Sequence, residues 1–477
     1  MKLTLYFLLI GLSWTACNSD KSQTDKSAGY RHDMLVALDS FETYLNDRWS
    51  YRFANNADYA EPIDSLRQKI KVGLSKDEFG IEIEKIIALG IDGHSRVRGY
   101  TWPQGGCLPF LIEVEGDHFI ATHPDRNAFL IEDFPFLKKI DGRPIEDWCK
   151  HISTRVPKGS PQWVKHRCVV RFLVRLDYWR EVMNLPISDS VEIELTNISE
   201  KEFRVIRLAT AKTPPSFGVW PKSNSMLLSS NIGYLRLPNM QKESSTNEIN
   251  LWMPKFRNAD GLIIDVRDND GGDRDALNLV YAYLASSTDP PRVFTAAAYR
   301  IHPSRKKDHL AGGHFMFPEE HEGWTLEDKA AIKSFKKTFH PEWELPPKQF
   351  SQWHYMVLHR SPDSEIYHFN KPVVVLMNSK CFSATDIFLA GLKGMKNVTL
   401  LGSPSGGGSG ASESFELGST NIRMTLSSMA SFQSNGKLFD GNGVEPDRIL
   451  YHVPEHFIGL RDNVLDTALS IIMDNRK

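Results

Sequence analysis

The residues best suited to chemistry lie in the stretch Cys381-Phe382-Ser383-Ala384-Thr385-Asp386. An apolar run from Pro372 to Met377 ends, a short turn follows, and a helix-forming run from Ala384 to Leu392 begins. A serine in that turn sits at a helix N-terminus, where the unpaired N–H groups of the first turn favour nearby negative charge. Acyl transfer asks for this arrangement: an exposed nucleophile with donors close by for the oxyanion. Ser383 followed by Asp386 also has the spacing of an ordinary helix cap, so this stretch alone leaves both roles open.

A second candidate is Gly261-Leu262-Ile263-Ile264-Asp265-Val266-Arg267-Asp268-Asn269-Asp270-Gly271-Gly272. A buried strand ends there in a charged turn with paired glycines. Glycine lets the backbone approach a ligand closely and turn its N–H groups toward it. Taken alone, the same pattern describes a tight connection between a strand and a helix.

The elements that must position these residues follow from periodicity and composition. Residues 216 to about 452 alternate strands and helices, the signature of an α/β layer. Ile232–Leu237, Gly261–Val266 and Pro372–Met377 read as strands, with helices over Asp275–Leu284 and Ala384–Leu392. The polar, histidine-bearing stretch 287–370 reads as an insertion, and a last amphipathic helix includes Val464, Ala468 and Ile472. Upstream, residues 106–215 hold strand-like runs, among them His118–Thr122, Val191–Leu195 and Phe203–Leu208, with a tight turn at Asp141-Gly142. Residues 30–105 are chiefly helical. Met34, Leu38, Phe41 and Leu45 share one face, and Ser75 to Glu78 has capping-box spacing.

The first residues are set apart from the fold. Lys2 is followed by a short apolar run to Trp14 and then by Thr15-Ala16-Cys17, the form of a signal peptide, 1–17, ending in a lipidated cysteine. Residues 18–29 then read as a flexible tether. The expected location is the cell envelope, with the protein anchored to the membrane through Cys17 and facing the periplasm or the exterior. The chain carries 57 basic and 59 acidic residues among 477, a balance that argues against nucleic-acid binding. Cys107, Cys149, Cys168 and Cys381 show no metal-type spacing, and no H-E-x-x-H pattern occurs among the 16 histidines.

Four segments in order resemble the C-terminal-processing and tricorn-like serine peptidases, family S41, a group that also includes interphotoreceptor retinoid-binding proteins. These are "GLIIDVRDNDGG", "KPVVVLMNSKCFSATDIFLAGLK", "LLGSPSGGGSG" and "FDGNGVEPD". The resemblance implies a crotonase-like α/β catalytic domain, 216–477, behind an N-terminal helical domain and a PDZ-like β-domain. The stretch "KKIDGRPI" is similar to a turn of PDZ domains, which would place a peptide groove beside Leu108-Pro109-Phe110-Leu111. Ser383 falls at the family's nucleophile. Ala384 and either Gly271 or Gly272 would supply the oxyanion N–H groups.

The base is expected to differ from that of the C-terminal-processing branch. The position of that branch's lysine falls at Gly408, and the polar residue sometimes found after the nucleophile falls at Gly394. Ile91-Asp92-Gly93-His94-Ser95 instead resembles the histidine segment of the tricorn-like branch, although Gly93 stands where that branch has a serine. His94 is then the base, with Asp440 or Asp92 orienting it. The resemblance implies an exported serine endopeptidase acting on peptide or protein substrates, with no metal or organic cofactor. The alternative is a non-catalytic protein that binds an apolar ligand or peptide on the same scaffold.

Overall fold

The computed structural model of the chain describes residues 19–305, 308, 310–360 and 366–474, with side chains from Tyr30 onward. The signal-peptide and Cys17 expectations lie outside the described residues. Among the described residues no helix is long and apolar enough to cross a membrane.

Three helices, Ser19–Asp47, Ala60–Val72 and Lys76–Ile87, open the fold. The segment expected to be a tether is helical from Ser19, and it holds no glycine or proline before Gly29 to interrupt the helix. Met34, Leu38, Phe41 and Leu45 are buried on one face, as their spacing requires. The third helix starts with the anticipated capping box: Glu78 N–H donates to Ser75 Oγ, and Ser75 N–H donates to the Glu78 carboxylate at 2.8 Å. These helices deliver the chain to Arg96–Arg98, a short strand that pairs antiparallel with Arg423–Ser427. This pairing ties the N-terminal region to the far end of the sequence.

The next unit is an antiparallel sheet in the order Leu111–Glu115, His118–Thr122, Phe136–Ile140, Ser190–Thr196, Phe203–Ala209. The Asp141-Gly142 turn has φ of +49° and +72°, the left-handed pair that a tight two-residue hairpin demands. Helices Ile145–Ile152, Pro161–Arg167 and Leu176–Val182 cover the sheet and bury Trp148 and Trp179. The edge expected to receive a peptide is already occupied at its start. Cys107 exchanges backbone hydrogen bonds with Ala211, and Leu108 N–H donates to Val174 C=O at 3.0 Å.

The C-terminal region is built on a six-stranded sheet in the order Arg448–Ile449, Val398–Gly402, Val373–Met377, Gly261–Asp265, Ile232–Arg236, Met226–Leu227. Its five consecutive pairings are parallel except the last. Strands 261–265 and 373–377 are buried at every position and apolar throughout except for Asp265, whose buried carboxylate pairs with Arg267. Helices Asp275–Leu284 and Ala384–Leu392 follow two of these strands, at the bounds the sequence predicts. The 287–370 stretch is more than an insertion. Its strands Arg292–Tyr299 and His354–Leu358 form a sheet with Met429–Gln433, because Phe294 and Ala296 to Ala298 are apolar and must be covered.

Candidate active site

Three loops leave the carboxyl ends of neighbouring parallel strands: 266–274, 378–383 and 403–411. Crevices at these ends are where open α/β sheets hold their ligands. Asn269 joins the first two loops. Its backbone carbonyl accepts from Phe382 N–H at 3.0 Å. Its side-chain oxygen accepts from Thr385 Oγ1 at 2.7 Å and from Gly271 N–H at 3.0 Å. Asn378 makes a second tie, accepting from Asp268 N–H and donating to the Asp268 carboxylate at 2.7 Å. The third loop docks through Gly406 N–H on Cys381 C=O at 2.7 Å.

Held this way, Ser383 has φ +60° and ψ −121° at the N-cap of helix Ala384–Leu392. A non-glycine residue in such a conformation costs about 1–3 kcal/mol and persists only where its surroundings enforce it. Its side chain does not cap the helix. Ser383 Oγ lies 2.9 Å from His94 Nε2. The structure thus brings together the two residues that the sequence separates by 289 positions.

His94 is held by a turn centred on Asp92. The Asp92 carboxylate accepts from His94 N–H at 3.0 Å, Trp49 Nε1 at 2.8 Å, Ser427 N–H at 2.9 Å and Ser427 Oγ at 2.7 Å. Asp440 is equally committed, accepting from Gly93 N–H at 3.2 Å, Tyr51 Oη at 2.8 Å and Ser409 N–H at 3.1 Å. Neither carboxylate bonds His94 Nδ1, which is buried without a hydrogen-bond partner among the described residues. A ring nitrogen of His94 and one oxygen from each carboxylate nevertheless lie within 4.8 Å of one another.

Burial is the first cause of the site's shifted pKa values. It pushes the His94 imidazole down to about 4 against the attraction of Asp92. It pushes the Asp440 carboxyl up to about 7, helped by the neighbouring Asp92 charge. Burial also raises the Asp386 carboxyl well above its ordinary range. Asp386 accepts from Ser405 Oγ and from Gly407 N–H, so it braces the glycine loop from beneath.

The two expected oxyanion glycines separate here. Gly271 N–H is spent on Asn269, and a Cβ there would stand 2.7 Å from Ser383 Cβ. Gly272 is exposed, and its neighbours Met240 and Asp273 bond around it without using its N–H. Ala384 follows Ser383 at the open first turn.

The departures at Gly93 and Gly408 have one physical cause. A Cβ on Gly93 would lie 2.7 Å from Phe382 Cζ, and a Cβ on Gly408 would lie 2.3 Å from the same atom. The Phe382 ring fills the space that side chains at both positions would need. It stacks on Trp163 at 4.2 Å and contacts the His94 ring at 4.7 Å. Gly394 has φ +79° at the far end of the helix, where a side chain would be strained.

Two further donor sets could be considered for a metal. His452, His456 and Asp462 cluster, but the Arg267 guanidinium already pairs with Asp462 at 2.8 Å and reaches His452 Nε2 at 3.1 Å. The Asp92–His94–Asp440 set is already engaged by Ser383, tyrosine, tryptophan and backbone donors. Sequence reasoning missed Asn269, Asn378, Phe382 and Tyr51. Asn269 stood inside a motif already singled out; Tyr51 carried no local signal.

Residues 231–450 match the family described as Peptidase family S41. Among solved structures, mature CPAF is similar at 18% identity and TM-score 0.65, over 93% of this chain and 98% of that one. Mature CPAF complexed with lactacystin is similar at 16% identity and TM-score 0.62, over 93% and 99%. At these identities the two structures speak for a shared fold, while the family match falls on the segments that hold Ser383 and the 261–272 motif. The match to peptidase family S41 spans residues 231–450, just under half of the chain, and the protein is a serine peptidase.

Proposed function

We propose that the protein is an exported serine endopeptidase working through a Ser383–His94 relay rather than a serine–lysine dyad. The 2.9 Å contact between Ser383 Oγ and His94 Nε2 carries this reading. The neutral imidazole takes the serine proton as Oγ attacks the scissile carbonyl, then returns it to the leaving amine. The glycine at position 408, where a Cβ would lie 2.3 Å from Phe382 Cζ, supports a base other than a lysine at that place.

Ala384 N–H and Gly272 N–H are assigned to the oxyanion, because Gly271 N–H is already bonded. Asp440 supplies negative charge to the imidazolium as it forms. It acts through its field or through one bridging water at Nδ1. Asp92, with four donors on its carboxylate, mainly fixes the histidine turn and adds charge. The α/β region is crotonase-like and the 106–215 sheet PDZ-like in this reading. Cys17 is the lipidation site that anchors the protein to the envelope membrane, and replacing it with alanine should release the protein from the membrane fraction.

The test is cleavage of a quenched peptide library by wild type and Ser383→Ala. Turnover by the first and none by the second is the expected result. Lactacystin, bound in one similar structure, should block the wild-type reaction. A folded wild type that binds peptides but cleaves none would support the binding-protein alternative.

A further inference from the structure

Cys149 lies in helix Ile145–Ile152, and Cys168 opens the turn that continues helix Pro161–Arg167. That turn, Cys168–Leu173, is a π-helix, a local widening often found beside functional sites. The two cysteines meet across 19 positions of sequence. Cys168 Sγ donates to the Cys149 carbonyl at 3.6 Å, and the two thiols are hydrogen-bonding partners. Cys107 and Cys381 are engaged differently. Cys107 Sγ donates to Gly105 C=O at 3.8 Å, and Cys381 Sγ donates to Val266 C=O at 3.1 Å.

The pair is asymmetric. Cys149 is half-buried, whereas Cys168 is only 1% exposed. Hydrogen bonding to the Cys149 thiol, and then burial, hold the Cys168 thiol well above its ordinary pKa. An incoming disulfide therefore meets Cys149 first, with Cys168 placed behind it to resolve the mixed disulfide.

The position of the pair gives such a bond a consequence. Helix Pro161–Arg167 and its N-cap Ser160 are the part of the β-domain that grips loops 378–383 and 403–411. Trp163 stacks on Phe382 at 4.2 Å. Ser160 Oγ donates to Gly406 C=O at 2.6 Å, and Gln162 Nε2 donates to Ser405 C=O at 2.7 Å. Helix Ile145–Ile152 is rooted in the core of the β-domain through Ile145, Trp148 and Ile152. A bond from Cys149 to Cys168 fastens the end of the gripping helix to that core.

We propose that Cys149 and Cys168 form a redox site, whose disulfide fastens the helix that holds the glycine loop and whose reduction releases it. The oxidant is itself a disulfide, of a small thiol or of a thiol–disulfide exchange protein. The Cys149 thiolate attacks one of its sulfurs and expels one thiol. Cys168 gives up its proton and attacks the Cys149 sulfur of the mixed disulfide, which expels the second thiol. The two cysteines lose two electrons and two protons, and the incoming disulfide becomes two thiols. The proposed export bears only on where such an oxidant is met. The site does not depend on the assignment of His94 as base.

The experiment equilibrates the full-length protein with glutathione disulfide or with dithiothreitol, denatures it in N-ethylmaleimide and maps its peptides by mass spectrometry. The expected result, after oxidation only, is a linked Cys149–Cys168 peptide that has lost two hydrogens and carries no maleimide. The oxidised protein should melt roughly 5 °C higher than the reduced one. Its backbone hydrogen exchange should be slower in 161–173 and in 403–411, and both differences should vanish in Cys149→Ser. Maleimide on both cysteines after oxidation overturns the proposal. So does a link made through Cys17, Cys107 or Cys381 in place of theirs. A Cys149–Cys168 link that leaves exchange in 403–411 unchanged overturns its hold on the glycine loop.

Discussion

At the scale of single residues, the site turns on one aromatic ring. Phe382 occupies the space beside Gly93 and Gly408, so the two apparent losses from the family pattern become one substitution of volume. Gly408→Ala should destabilise the protein by about 1–3 kcal/mol through overpacking. Phe382→Ala should make room, so that the double variant is less destabilised than the sum of the singles, as read by denaturant unfolding. Full additivity would mean that the ring and the glycine do not share space. Asp440 gives a prediction in pH. With His94 lowered to about 4, the base is neutral throughout the physiological range, so the acid limb of activity is not its own. The Asp440 carboxyl, raised to about 7, is the group that changes charge there. Its ionised form stabilises the imidazolium, so kcat/KM should rise as pH increases through about 7. Asp440→Asn should remove that rise. A wild-type limb centred near 4, with none near 7, would speak against the assignment.

At the scale of elements, much was legible because the pattern and the physics agree. Strands 261–265 and 373–377 announce themselves as apolar runs suited to burial on both faces, the one charge, Asp265, being paired with Arg267 and Arg236. Helices 275–284 and 384–392 followed from the glycine turn and the serine turn that precede them. The polar joints between loops were not legible. Asn269 connects loops 266–274 and 378–383 and bonds Thr385 across 116 residues, and no local spacing encodes such a partner. Asn269→Ala leaves Gly271 N–H and Thr385 Oγ1 without their acceptor and frees the turn that presents Gly272. We expect its kcat to fall by about 10²-fold, the scale of losing one oxyanion donor, with KM less affected. An unchanged kcat would show that the loops hold their geometry without the joint.

At the scale of the molecule, the proposed catalytic pair, Ser383 and His94, is assembled from segments 289 residues apart. Strand pairing of 96–98 with 423–427 and the Trp49–Asp92 bond carry His94 to Ser383. A buried ionic joint does the same for the β-domain. Lys380, three residues before the nucleophile, pairs with Glu113 of strand 111–115 at 2.8 Å and with Asp268 at 3.0 Å. Its neighbour Glu115 bonds His452, which in turn meets Arg267. Beside the peptide edge expected along Leu108 to Leu111, Cys107 and Leu108 bond Ala211 and Val174 within the β-domain, and strand 111–115 is buried along its length. Lys380→Met removes the shared cation but leaves Glu113 with Arg126 and Asp268 with Asn378 and Trp220 N–H, and should cost about 1–3 kcal/mol in unfolding measurements. Adding Glu113→Gln should recover part of the loss. Sequence alone could not show this joint, because Glu113 and Lys380 look like ordinary surface charges until the two domains meet.

The central claim is that His94 activates Ser383. The most direct measurement is the rate at which a fluorophosphonate probe labels Ser383 in wild type and in His94→Ala, with the labelled peptide identified by mass spectrometry. The account predicts labelling of Ser383 in wild type and a rate lower by about 10²- to 10⁴-fold in the variant, the range of a general base. Equal rates in both proteins would contradict it and would mean that another group takes the serine proton.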